Sequence, residues 1–211
     1  MIRFQVFLFS MGILVSLLAG ADTQYVDPPG IEYKTLYNQV GAYSVEVEKH
    51  CIEKVIGFNK DGYISKVEYL FPWASFFVKV REPSSVEKVL IREFKKTAQA
   101  PNELVSLAKL LYGGNSSVID PVIFEYNVGP EKAIASVYNY ISGTGFGGAT
   151  YVPVFKVETI HNNLFYRVEI GSSKKKKRTD NEDLIRVGRK ILEHSTREFT
   201  FYDERLILES E

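Results

Sequence analysis

The chain of 211 residues has one cysteine, Cys51. That excludes an internal disulfide framework, so the fold has to be held by its core. Cys51 reads as a small buried hydrophobe rather than a reactive thiol. Histidine is also scarce: His50, His161 and His194 are dispersed in the sequence. His50 adjoins Cys51, but neighbours on one element point in different directions, a poor arrangement for a nucleophile and its base. No HExxH, CxxC, GxSxG or P-loop pattern occurs. "GTGFGG" spells GxGxxG through Gly143, Gly145 and Gly148. It follows a candidate helix and precedes a candidate strand, the reverse of a dinucleotide site. Net charge is absent too, with 26 acidic and 26 basic residues, so no global field draws polyanions. These absences argue against an enzyme, a metal site, a cofactor and a nucleic-acid partner.

Long apolar runs are missing everywhere except at the start. "MIRFQVFLFSMGILVSLLAGADTQ" joins Arg3 to an apolar run, Phe4 to Leu18, and then to the small residues Ala19, Gly20 and Ala21. That is the three-part pattern of a secretory signal peptide, residues 1–21, with removal expected after Ala21. The run is shorter than the ~20 apolar residues of a membrane anchor. The sequence therefore places the chain in the secretory pathway or outside the cytoplasm, with no transmembrane anchor once the signal is gone. Asn115, in "NSS" after the turn-like "YGG", is a glycosylation sequon for a eukaryotic source.

Apolar and aromatic content is that of a globular protein. Spacings of four and seven over Ser44 to Ile56 suit a helical face, although "YSVEVE" alternates as a strand. "YISKVEYL" and "SFFVKV" read as strands around "FPWA", where Pro72 and Trp73 suggest a packed turn with a buried indole. "SSVEKVLIREFKK" carries a capping box, Ser84 with Glu87, yet "VLIREF" also suits a strand. "NELVSLAKLLYGG" reads as a helix capped by Asn102 and stopped at Gly113. "SSVIDPVIFEYNV" looks extended. Pro130 then opens "PEKAIASVYNYIS", whose Ala133, Ile134, Val137, Tyr138 and Ile141 predict a helical stripe. "YVPVFKVETI" and "LFYRVEI" flank the turn "HNN", and "REFTFY" with "RLIL" suggests a last hairpin around "DE".

Lys66 to Val80 aligns without a gap on Lys156 to Ile170, and Val78 meets Val168. A duplication follows as an expectation: an α+β protein of helices packed on antiparallel sheets, in units 22–112 and 113–211. The second unit, with "EKAIASVYNYIS" followed by "NLFYRVEIGSS", resembles the cystatin superfamily, whose helix precedes a strand of the form NYxLxVEL. Asn163, Phe165, Val168, Glu169 and Ile170 stand at the matching positions. The resemblance implies a tandem cystatin-like protein that binds a papain-like or legumain-like cysteine peptidase. The facing edge would comprise Gly113, Gly114, Thr159, His161, Asn162, Asp203 and Glu204. The inhibitory motifs are not preserved: Val157, Thr159 and His161 stand at the QxVxG positions, and "DER" replaces Pro-Trp. The alternative expectation is a secreted, non-inhibitory carrier or surface-interaction protein.

"GSSKKKKRTDNED" holds five consecutive cations, Lys174, Lys175, Lys176, Lys177 and Arg178. Five adjacent charges cannot be buried, so the run is a solvated loop. It precedes "NEDLIRVGRKIL", a helix capped by Asp180 or Asn181. Weak affinity for a polyanion, such as a sulfated glycan or an acidic lipid surface, fits the compartment. Cleavage after Arg178 is the further alternative.

Overall fold

A computed structural model describes residues 30–60, 62–96, 117–145, 148–171, 175 and 177–204. The expected signal segment 1–21, the helix from Asn102, Gly113, Gly114, Asn115, Lys174, Lys176 and the strand after Arg205 lie outside them. Among the described residues, ten strands and two helices follow one another: β1 Tyr33–Asn38, β2 Tyr43–Glu48, β3 Ile52–Lys60, β4 Tyr63–Leu70, β5 Ser75–Arg81, α1 Ser85–Lys96, β6 Val118–Val128, β7 Glu131–Gly145, β8 Gly148–His161, β9 Leu164–Ile170, α2 Asn181–Arg197 and β10 Thr200–Phe201. They form a seven-stranded sheet in the order β3-β4-β5-β9-β8-β7-β6 and a small sheet in the order β1-β2-β10. Every pairing is antiparallel.

This corrects the expected fold class. The protein is sheet-dominated, and the two cystatin-like repeats are replaced by one sheet that β5 and β9 join across the chain. The decisive segment is 131–142, expected as a helix and observed within β7. Ala133, Ala135 and Val137 lie on one face, while Ile134, Ser136 and Tyr138 lie on the other. Ala133 to Val137 are all buried. A strand covered on both sides loses its alternation and imitates a helical stripe. Pro130 is not a helix start either. It follows Gly129 (φ 53°) in the two-residue turn between Val128 and Glu131, where glycine supplies the positive φ. Without that helix the cystatin pattern has no counterpart here.

Elsewhere the local signals hold. Ser84 Oγ accepts from the Glu87 amide at 3.3 Å and Glu87 accepts from the Ser84 amide at 2.9 Å, so the capping box starts α1. Asp180 caps α2 by accepting from the Glu182 amide at 2.8 Å. Two do not: Ser44 to Ile56 is not a helical face but β2 and the start of β3, the alternation of "YSVEVE" prevailing, and of "REFTFY" Arg197 ends α2 while Thr200–Phe201 form β10.

The echoing hairpins lie side by side, with β5 against β9 and Val78 opposite Val168. One row crosses the whole sheet: Val55, Val67, Val78, Val168, Val157, Ala135 and Phe124. Its five central members are buried beneath β2 and α2, in a core with Tyr43, Val45, Val47, Leu184 and Leu192. On the reverse face Leu90, Ile91 and Phe94 of α1 pack against Ile123, Ile134 and Phe165. The two helices thus cover opposite faces.

Gly188 brings α2 down onto β8, since a Cβ there would stand 2.2 Å from Cδ2 of buried Phe155. Replacing it with alanine gains ~1 kcal/mol of helix propensity, against an overpacking cost of about 1–3 kcal/mol. Gly188→Ala is expected to lower the urea midpoint. A raised midpoint would show that α2 sits farther from Phe155.

Candidate functional site

Four connections meet at one end of the seven-stranded sheet. The β8–β9 turn is a two-residue hairpin in which Asn162 (φ 45°) and Asn163 (φ 61°) both take left-handed conformations. Such a turn suits asparagine and fixes the direction of the side chains beside it. Asn162 Nδ2 donates to Asp203 Oδ1 at 2.6 Å, bringing "HNN" and "DER" together at one edge. His161 stacks on Phe201, ring centroids 4.6 Å apart, and its Nε2 lies 3.9 Å from Asp203 Oδ1. Its Nδ1 stands 2.8 Å from Glu131 Oε1, and a carboxylate there makes Nδ1 the donor. Lys95 of α1 pairs with the other Glu131 oxygen and donates to the Ile160 carbonyl at 2.6 Å. Burial works against ionisation of Glu131, but the hydrogen bonds from Lys95 and His161 outweigh it and hold the carboxyl below its usual range.

Beside this cluster lies an open cleft of about 510 Å³, lined by Ala42, Glu82, Pro83, Lys88, Asn162, Asn163, Leu164, Tyr202 and Asp203. Tyr202 forms its wall: its amide donates to the Ala42 carbonyl at 2.9 Å and its hydroxyl to Ser44 Oγ at 2.9 Å. The Glu82, Lys88 and Asn163 side chains make no hydrogen bond among the described residues, so their polar ends are available. Of the remaining sequence-predicted edge residues, Glu204 is exposed, whereas Thr159 faces the core and donates to the Lys132 carbonyl at 2.8 Å. Glu131 and Lys95 escaped the sequence reading because they lie 30 and more residues from His161 and belong to no motif.

The cationic loop leaves the opposite end of the sheet. Lys175 exchanges two backbone hydrogen bonds with Tyr151, at 2.6 and 2.7 Å. Arg178 pairs with Asp120, whose carbonyl also accepts from Asn181 Nδ2 at 2.8 Å. Asn139 holds both the amide and the carbonyl of Thr179. Lys175, Lys177 and Arg178 are exposed on this pinned frame. Trp73 is at the same end, and its indole is 52 % exposed rather than buried, stacked on Phe71 at 5.8 Å.

A third group of charges is structural. Glu158 is fully buried on the α1 side of the sheet and accepts from Lys156 at 3.1 Å and from Arg167 Nε at 2.7 Å. Lys79 and Glu169 form a pair beside it. Burial lowers the Lys156 pKa against the pull of Glu158. The same "FKVETI" alternation that marks a strand carries these charges, which a sequence reading assigns to a wet face. Cys51 is buried, and burial pushes its thiol up to about 11. Among the described residues no cluster of three or more metal-ligating side chains occurs, and no helix is long and apolar enough to cross a membrane.

The chain matches no protein-family profile and no curated protein, the cystatins included. Among solved structures it is similar to the solution structure of cyanobacterial PsbP (CyanoP) from Synechocystis sp. PCC 6803. The identity is 9 %, the TM-score 0.42, and the match covers 88 % of this chain and 99 % of the other. The cystatin expectation fails because no family profile matches and the helix it needs, residues 131–142, is part of β7.

The lowered pKa of Glu131 sets a sign. Its contribution to stability is complete above the ordinary glutamate value of ~4.3 and disappears as pH falls through the lower folded value. Glu131→Gln is expected to melt below the parent at pH 7, with the two melting temperatures converging as pH falls below the ordinary glutamate value. A constant gap across that range would remove the ion pairs as its cause.

Proposed function

We propose that this is a non-catalytic, extracytoplasmic binding protein that carries a small zwitterionic ligand in the cleft beside Asn162 and Asp203. The observation that supports it most is that cleft, with side chains of both signs free at its wall. About 510 Å³ falls within the usual range for small-molecule sites. Glu82 and Asp203 suit an ammonium, Lys88 suits a carboxylate, and the asparagine amides serve either. A free amino acid or a dipeptide has that chemistry. The peptidase expectation rested on the cystatin resemblance alone and has no other support.

A zwitterionic dipeptide at millimolar concentration should shift the backbone amide NMR signals of Ala42, Lys88, Asn162 and Asn163. Lys88→Ala with Asp203→Ala should abolish the shifts, and glucose should produce none. Shifts scattered over the whole surface, or none at all, would leave the cleft without a ligand of this class.

The pinned loop supports a second activity, weak binding of polyanions such as sulfated glycans through Lys175 and Lys177. Each lysine engaged with a polyanion contributes about one unit to the slope of log affinity against log salt. Lys175→Gln/Lys177→Gln should therefore elute earlier from heparin, with the slope reduced by about two. Exposed charges away from helix caps change stability by less than ~0.5 kcal/mol, so the melting temperature should hold. Coelution of variant and parent at low salt would make the loop a solubilising turn.

A further inference from the structure

We infer that the sheet end opposite the cleft is a membrane-docking face, with Trp73 set at the lipid headgroup level and the cationic loop against anionic headgroups. The inference rests on the polyanion reading of that loop and commits it to lipid. Three exposed apolar side chains gather at this end. Trp73 stands in the β4–β5 turn at 52 % exposure, and Ile31, at 36 %, lines the same small hollow. Ile52, at 65 %, opens β3 directly opposite Leu70, the last residue before the turn. Lys190 of α2 holds its ammonium 5.7 Å from the Trp73 ring centroid, so the indole face already meets a cation.

Topology brings the loop to the same end. β5 and β9 are antiparallel with Phe76 opposite Ile170, and the Gly171 amide donates to the Ser75 carbonyl at 2.7 Å. The chain therefore leaves β9 beside the start of β5, one residue past Ala74 and two past Trp73. A Cβ on Gly171 would lie 2.1 Å from Ser75 Oγ, a measure of how close the two connections run. Asp120 neutralises Arg178, so the attraction to anionic lipid falls to Lys175 and Lys177 among the described residues.

A sulfated glycan would use the lysines and leave the indole and the two isoleucines in water. A bilayer interface satisfies both, because tryptophan favours the headgroup level and stable peripheral binding takes an apolar contact together with a basic patch.

Trp73 is the one tryptophan in the chain, so its emission reports this face alone. The full chain would be mixed with vesicles of phosphatidylcholine, with and without phosphatidylglycerol, each also prepared with lipid brominated high in the acyl chains. Trp73 should shift to the blue and be quenched by bromine, most strongly with phosphatidylglycerol at low salt. Lys175→Gln/Lys177→Gln should weaken the apparent affinity about 30-fold, near 5-fold for each lysine. Ile31→Ser/Ile52→Ser should reduce quenching at saturation while heparin retention stays unchanged. Vesicle binding with Trp73 unquenched would overturn the docking face, whatever other part of the chain holds the lipid. Heparin retention without quenching would keep the polyanion reading and discard the membrane. Equal quenching on both lipids, unaffected by the lysine changes, would remove the loop from the interface.

Discussion

The pairing of β5 with β9 is the constraint on which the rest depends. It joins residues separated by 90 positions, places Val78 against Val168, and turns two hairpins into one sheet. Long-range antiparallel pairing carries a loop-closure cost that local contacts do not, so the strands must be rewarded on both faces. On one face the reward is the buried valine row beneath β2 and α2. On the other it is a charge ladder in which Glu158 lies opposite Arg167 and Lys156 opposite Glu169. Lys79 and Arg167 also face each other directly, a like-charge pair in which Glu169 pairs with the lysine and Glu158 with the arginine. A buried ladder of this kind is weak as a source of stability but costly to break, because removing one member strands the others in low dielectric. It holds the register of β8 and β9 to the arrangement that satisfies every charge.

Register, in turn, decides what stands at each end. β5 and β9 are each seven residues long, so their ends are ~23 Å apart. One end receives the β8–β9 turn, the start of α1, the β1–β2 turn and the exit of β10, all chains that bring polar side chains. The other receives the β4–β5 turn, the entry of the chain and the loop after β9. A two-residue slip of β9 against β5 would keep the faces correct. It would still break the bond from Gly171 to Ser75 and carry Glu169 away from Lys79.

Local elements were legible at their caps and turns, even where, as in "VLIREF", the body of the element also suited a strand. The Ser84–Glu87 box, the Asp180 cap and the "HNN" turn use side chains that satisfy specific backbone groups, and such chemistry does not depend on the rest of the fold. The segment 131–145 was not legible, because what distinguishes a doubly covered strand from a helix is what covers it. α1 and α2 supply those covers from residues 85–96 and 181–197, far away in the chain. The site divides in the same way. His161, Asn162 and Asp203 were visible as two loops, whereas Glu131 and Lys95, which fix the histidine, become its neighbours only through the β7–β8 pairing and the seat of α1. The sequence suggests a buried indole at Trp73 because aromatic residues are most often buried, and only the end of the sheet shows that Phe71 and Lys190 leave about half of it exposed.

On the proposed reading, the separation of the two ends bears on function. A ligand in the cleft and a surface at the Trp73 end do not compete for any residue, and both connect to the β5–β9 register through opposite termini of the same strands. A protein bound to a surface by one end presents the other directly away from it. The cleft end is tied by the bonds from Asn162 to Asp203, from the Tyr202 hydroxyl to Ser44 and from the Tyr202 amide to Ala42. The other end is tied by the backbone pairing of Lys175 with Tyr151 and by the Asn139 clasp on Thr179. Both sets of bonds are anchored in the same buried strands, so the register that seats one end also seats the other.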